Sequence, residues 1–315
     1  MRIALVLLAL CPAFAGDADF NGRWNIATPS TIGRGWWLEV RGSETATPHA
    51  KFVSAYAGDL NVPDELSIHN GELTLGFRYK QRLQPGAEPA SIHSILKAKI
   101  VGAELVGTME TEGSGRPVVK WTGVRAPVIK DKDDGTWRDG RPVQLFNGKD
   151  LAGWHPQEAD KAFSWTVENG VLKAPGRGTN AVCDGKFWNF KLHVEFKMYA
   201  RSNSGIGLRN HYEIQILDDY GQPPDIHGNG ALYSRIAPRV NASKPVGEWQ
   251  TYDITLIGRD LTVVLNGVKV IDKQVIEGFT AIARDANEAE PGSIALQGDH
   301  GAVDFRNIMV TPLMK

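Results

Sequence analysis

The sequence predicts an all-β protein in two parts: a small β-barrel or β-sandwich, then a larger sandwich of two packed antiparallel sheets. Three observations carry this. Apolar residues recur mainly with a period of two rather than 3.6. Gly (34) and Pro (17) are spread along all 315 residues as turn punctuation. Asn-Gly pairs stand between alternating runs, the strongest short hairpin signal. At 42% hydrophobic and 23% charged residues the composition is that of a folded protein. At about 150 residues per domain the length fits two domains. Lys and Arg (35) nearly balance Asp and Glu (36), which argues against nucleic acid or an anionic membrane as the main partner.

The first residues, MRIALVLLALCPAFAG, carry one basic residue (Arg2), an apolar run too short to span a membrane, and an Ala13-Phe14-Ala15 cleavage site. Residues 1–15 are expected to be a secretory signal peptide, giving a periplasmic or secreted protein. A lipid-modified Cys11 is disfavoured because Leu10 precedes it, where a small residue is expected. Cleavage leaves Cys183 alone, so the cores must stand without a disulfide.

Residues 17–125 are expected to be an all-β accessory domain. LSIHNGELTLGFRY forms a hairpin about Asn70-Gly71, and ILKAKIVGAELVGTMET repeats the pattern about Val101 to Glu104. Trp24, Trp36, Trp37 and Trp121 are core candidates. Trp36 and Trp37 are strand neighbours, so one of the pair should be exposed or in an interface. No constellation in this half carries recognisable chemistry. Residues 126–141, APVIKDKDDGTWRDGR, are charged and aperiodic and read as a linker or strap.

From residue 142 to 315 strands and turns follow in close order. FSWTVENGVLKA turns at Asn169-Gly170. FKLHVEFKMYA alternates strictly, and WQTYDITLIGRDLTVVLNGVKVID turns at Gly258 to Asp260 and at Asn266-Gly267. About ten short strands, with at most one helical turn in 277–290, imply two packed sheets. In NSGIGLRNHYEIQILDD a strand regular from Arg209 would place Arg209, His211, Glu213 and Gln215 on one face, with Tyr212, Ile214 and Ile216 on the other. Gly205 and Gly207 share the polar face and would leave room for a sugar ring. The bland alternative is a solvated sheet face with an Arg–Glu pair.

The segments LFNGKDLAGW (145–154), WTVENGVLKAPGRG (165–178), NSGIGLR (203–209), YEIQILDD (212–219), GALY (230–233), GEWQTYDI (247–254), LNG (265–267) and IALQGDHGAVDFRNI (294–308) stand in order. Through them the stretch from Val143 to about Leu313 resembles the 3-keto-disaccharide hydrolase domain family. The resemblance implies a concanavalin A-like jelly roll and substrates already oxidised at sugar C3. Retaining glucanases of that fold hold paired carboxylates on one strand face. Here positions 213, 215 and 217 are Glu, Gln and Leu, so that pattern is absent.

A ketone at C3 acidifies the C2 hydrogen, and elimination followed by hydration then needs one base, an oxyanion stabiliser and an acid. Under the resemblance these are Glu213 as base, Arg209 as enolate stabiliser, and His300 as acid ahead of His227. Gln215, Asn203 and Gln297 are candidate ligands of sugar hydroxyls, and Tyr233 or Trp154 would stack on a sugar face. The loop acids Asp218, Asp219, Asp225 and Asp299 are not expected to form a metal site, and no cofactor is expected. The partners expected are a 3-keto-sugar substrate and a sugar 3-oxidoreductase that supplies it. A non-catalytic carbohydrate-binding or cell-surface module is the alternative from another class.

Overall fold

A computed structural model describes residues 17–30, 32–56, 58–81 and 88–315; the expected signal peptide lies outside the described residues. The regular elements of the described residues are all strands apart from one short 3-10 turn at Asp17–Phe20. By packing it divides into two units.

The first unit contains an antiparallel meander of the strands Glu65–His69, Glu72–Gln81, Ala90–Val101, Glu104–Glu112 and Val119–Arg125. The expected turn at Asn70-Gly71 has both residues at positive φ (52° and 71°), the requirement of a type I′ hairpin. Leu73, Leu75, Ile92, Leu96, Leu105, Met109 and Trp121 are buried in this unit. Gly107 is required there: a Cβ would overlap the Trp121 ring.

The second unit comprises Arg23–Leu38, Phe52–Asn61 and Ala126–Lys315. The division thus departs from the expected 17–125 boundary, since two N-terminal segments pack with the larger unit. The cause is visible at the tryptophan pair. Neither Trp36 nor Trp37 is exposed. Trp36 meets Phe52 and Tyr56 edge-on, with ring centroids at 5.8 and 5.9 Å. Trp37 joins the core of the larger unit, with the Arg235 guanidinium 4.3 Å from its ring. Residues 126–141 are likewise a strap rather than a free linker. Asp131 accepts hydrogen bonds from Trp188 Nε1 (2.8 Å) and Asn189 Nδ2 (2.7 Å), and Arg138–Asp139 pairs with the last strand, Ala302–Met314.

Two sheets form the larger unit's sandwich. One runs Thr166–Glu168, Val171–Pro175, Ala302–Met314, Phe190–Met198, Trp249–Ile257, Asp260–Leu265 and Val268–Val275, with Arg138–Asp139 and Val143–Gln144 also on the last strand. The other has five strands in the order Trp154–Pro156, Ala181–Cys183, Ala295–Leu296, Asn203–Leu208 and Tyr212–Leu217. The alternation read in FKLHVEFKMYA is realised: Phe190, Leu192, Val194, Phe196 and Met198 are buried in the core. Tyr212, Ile214 and Ile216 belong to the same core. The turns at Asn169-Gly170 and Asn266-Gly267 are again positive-φ pairs. No helix forms in 277–290.

Candidate functional site

The polar face of the five-stranded sheet carries the site. Asn203–Leu208 and Tyr212–Leu217 pair antiparallel, with Gly205 opposite Gln215 and Gly207 opposite Glu213. Alternation then places the Glu213 and Gln215 side chains away from the core. There they line a cavity of about 190 Å³ with Asn203, Tyr233, Gln297 and His300. Asn180, Asp299, Ala281 and Ile282 complete its wall from the same stretch, and Arg34, Ala55 and Gly58 from the N-terminal segments. This is less than the roughly 300 Å³ of typical drug-sized sites. A larger cleft of about 1140 Å³ shares Arg34 and Ala55 with the small cavity and is lined by charges of both signs, including Glu158, Lys161, Lys186 and Arg284.

Glu213 is buried (4% exposed), and among the described residues no side chain donates a hydrogen bond to its carboxylate. Burial pushes its pKa up to about 7, with Asp299 adding to the rise and the charges of His300 and Arg34 opposing it. His300 Nδ1 lies 2.6 Å from Asp299 Oδ1, and this partner raises the imidazole pKa above its ordinary value. Burial of Asp299 works to raise its own pKa, but the hydrogen bond and charge of His300 outweigh it and hold the carboxyl below the usual range. Tyr233 is pushed up to about 12, first by burial and then by Asp59 and Glu213. Two acceptors in the cavity wall, Gln215 Oε1 and Gln297 Oε1, are buried and have no hydrogen-bond partner among the described residues. Such groups cost about 1–3 kcal/mol unless something donates to them, which a sugar hydroxyl would do.

Arg209 and Trp154, both expected at the site, lie elsewhere, as does His211. Arg209 is not in a strand: with Asn210 it forms the turn between Asn203–Leu208 and Tyr212–Leu217, at φ of 51° and 65°. That turn breaks the assumed alternation. The guanidinium is fully buried 4.1 Å from the Trp188 ring and donates to the carbonyls of Gly258 (2.8 Å) and Trp188 (3.3 Å). His211 is also buried, stacked on Phe279 with its Nε2 3.0 Å from Asp285. Trp154 is core, its indole donating to the Leu145 carbonyl at 2.9 Å. Gly205 does not hold space for a sugar, because the Glu213 side chain occupies it.

The second-ranked acid, His227, pairs with Asp59 at 2.9 Å and packs edge-on against Tyr233 rather than lining the cavity. Among the described residues no group of three or more His, Cys, Asp or Glu is placed to hold a metal ion. Asp218 and Asp219 instead accept from loop groups: the Arg201 amide for Asp218, and the Asn229 amide and Ser243 hydroxyl for Asp219.

Sequence reasoning missed Arg34, Ala55 and Gly58, because residues 17–125 carry no recognisable chemistry. The available signal was the Trp36-Trp37 pair beside a glycine-flanked Arg34. Two adjacent strand tryptophans that are both buried must be covered on both faces.

A 3-keto-disaccharide hydrolase of Bacteroides thetaiotaomicron is 28% identical over 227 residues, covering 54% of this chain and 78% of its own. A Parabacteroides distasonis structure, described as a candidate glycosyl hydrolase, is 28% identical, with a TM-score of 0.47 over 56% of this chain and 91% of its own. A second from the same organism, described likewise, is 26% identical, with a TM-score of 0.44 over 55% of this chain and 100% of its own. The family model for the 3-keto-alpha-glucoside-1,2-lyase-like domain matches residues 141–311, which include both sandwich sheets and most of the cavity wall. That stretch is more than half of the chain, which therefore belongs to the 3-keto-alpha-glucoside-1,2-lyase-like domain family.

Proposed function

We propose that this protein cleaves the glycosidic bond of 3-keto-glycosides, 3-keto-disaccharides among them, by elimination and hydration. The observation that carries the reading is Glu213: a desolvated carboxylate with no side-chain donor among the described residues and a pKa of about 7, facing a small polar cavity. A general base works best with its pKa near the working pH. Glu213 takes the proton from C2, and the electrons of that C–H bond pass to the C3 ketone as an enolate. The enolate collapses to a C1=C2 double bond and expels the oxygen at C1, which takes a proton from His300. Water then adds across the double bond, hydroxyl to C1 and hydrogen to C2, and regenerates a 3-keto-sugar. Gln215, Gln297 and Asn203 hold hydroxyls, and Tyr233 bounds the ring.

This chemistry asks for only one carboxylate, and Asp299, the second in the cavity wall, is already engaged with His300. The match to the family and the name of the Bacteroides relative support the substrate class. We further propose, from the Ala13-Phe14-Ala15 site, that the protein acts outside the cytoplasm after removal of residues 1–15, downstream of an enzyme that oxidises sugars at C3. Incubation with 3-keto-trehalose or a 3-keto-aryl-glucoside, beside the unoxidised parent, tests it. Release of the leaving group from the keto compound alone is expected. Binding without cleavage of either would instead identify a carbohydrate-binding module.

A further inference from the structure

We propose that Arg34, from the N-terminal segment, is the cation that receives the negative charge developing on the C3 oxygen of the substrate. The proposal rests on the elimination reading above, since only that route places a full charge on this oxygen. The enolate must be met by a positive or hydrogen-bonding group in a dry site, where such a group is worth most. Arg209 is enclosed at a turn and cannot serve. Among the described residues lining the cavity, the cationic side chains are Arg34 and His300. His300 is held by Asp299 and is needed to protonate the leaving oxygen.

Arg34 has donors to spare. Its side chain is 18% exposed, and its contacts are long: Glu158 at 3.4 Å and the Ile282 carbonyl at 3.5 Å. A guanidinium carries five N–H donors in a rigid fork.

The backbone that presents Arg34 is fixed on both sides. The Thr28 hydroxyl donates to the Arg34 carbonyl at 2.6 Å, and the Gly35 amide donates to the Ala283 carbonyl at 3.0 Å. Position 35 must be glycine, because a Cβ would stand 2.7 Å from the Asp285 carbonyl carbon. Two residues on, Trp37 lies against Gly278, where a Cβ would overlap the indole. These contacts tie residues 34–37 to the 278–285 loop, which also supplies Ala281 and Ile282 to the cavity. Arg34 lies outside the matched residues 141–311, so the segment before the family domain contributes to this chain's site.

The full-length protein carrying Arg34→Met is compared with wild type on a 3-keto-aryl-glucoside. Loss of one oxyanion donor typically costs about 100- to 1,000-fold, and that fall in kcat/KM is expected with little change in melting temperature. Arg34→Lys, which keeps charge but not the fork, should lose about tenfold. The groups facing Glu213 are Arg34, His300, Asp299 and Tyr233. Removing the Arg34 charge should therefore move the acidic limb of the pH–rate profile upward, and Arg34→Lys should leave it in place. Glu158→Gln, which removes the ion pair and keeps the cation, should stay within about threefold, because the 3.4 Å contact is long and weak.

If Arg34→Met keeps more than a tenth of wild-type activity, or if Glu158→Gln falls as far as Arg34→Met, Arg34 is not the oxyanion cation. Should Arg34→Met fail to fold, Arg34→Lys decides: wild-type kcat/KM in that variant overturns the proposal. A wild-type protein inert toward every 3-keto-glycoside overturns the elimination reading itself, a separate outcome.

Discussion

The Glu213 side chain lies across Gly205 on the neighbouring strand: a Cβ at position 205 would stand 2.9 Å from Glu213 Cγ. The two residues are diagonal neighbours in the register, since Gly205 pairs with Gln215 and Glu213 with Gly207. The missing side chain at 205 lets the carboxylate lie against the neighbouring strand, enclosed. That placement is what raises its pKa to about 7.

Gly205→Ala is therefore expected to disable the protein without unfolding it. The added methyl must push the Glu213 side chain off the strand, and a displacement of about 1 Å at a reacting group can cost about 100-fold. Steady-state rates on a 3-keto-glycoside, with circular dichroism as the fold control, check this.

The pH dependence follows from the same residue. Glu213 must be ionised to act, so kcat/KM should fall as pH drops below about 7. Its stability effect has the opposite sign. The folded pKa lies above the reference value of 4.5, so the folded state binds the proton more tightly. The stability this gives is complete below 4.5 and is lost as pH rises through 7. Glu213→Gln removes that titration, so at pH 8 it should be more stable than wild type, by up to about 3 kcal/mol at about 1.4 kcal/mol per pKa unit. Denaturant titrations of both proteins at pH 4.5 and pH 8 measure the difference.

His300 is assigned to the leaving oxygen, so its loss should depend on what leaves. His300→Gln should slow cleavage of 3-keto-trehalose by about 100-fold or more, within the range for a lost general acid. A nitrophenyl 3-keto-glucoside, whose leaving group departs without protonation, should lose much less. Equal losses on the two substrates would remove His300 from the role.

Arg209 is expected to matter for the fold and not for the chemistry. Arg209→Met leaves the Gly258 carbonyl without its guanidinium donor and removes the charge packed on Trp188. A loss of about 2–3 kcal/mol of stability follows from an unpaired buried acceptor and imperfect refilling. Turnover per folded molecule should stay near wild type, which a rate normalised to the folded fraction would show.

Much of this was legible in the sequence, for identifiable reasons. Asn70-Gly71, Asn169-Gly170 and Asn266-Gly267 marked hairpins because those residues tolerate the positive φ that type I′ turns require. The three-residue turn at 209–211, with Arg209 and Asn210 at positive φ, went unread, since Arg is rare in that conformation, and the unread turn put Arg209 on the wrong face. Glu213, Gln215, Asn203, Gln297, Tyr233 and His300 line one cavity. Trp154 did not, because an aromatic side chain satisfies a core as readily as a sugar face. Arg34 could not be placed by local pattern. Its position depends on contacts with residues near 280, about 250 positions away in sequence.

The central claim is that Glu213 removes the C2 proton of a 3-keto-sugar. The most direct measurement is the rate of exchange of the C2 hydrogen with deuterated solvent, followed by NMR on a 3-keto-glycoside. Wild type is compared with Glu213→Gln at pH 8, where the glutamate is ionised. The account predicts that wild type exchanges or eliminates at C2 while the variant is slower by about 100- to 10,000-fold and remains folded. A folded Glu213→Gln protein that retains more than a tenth of the wild-type rate would contradict it.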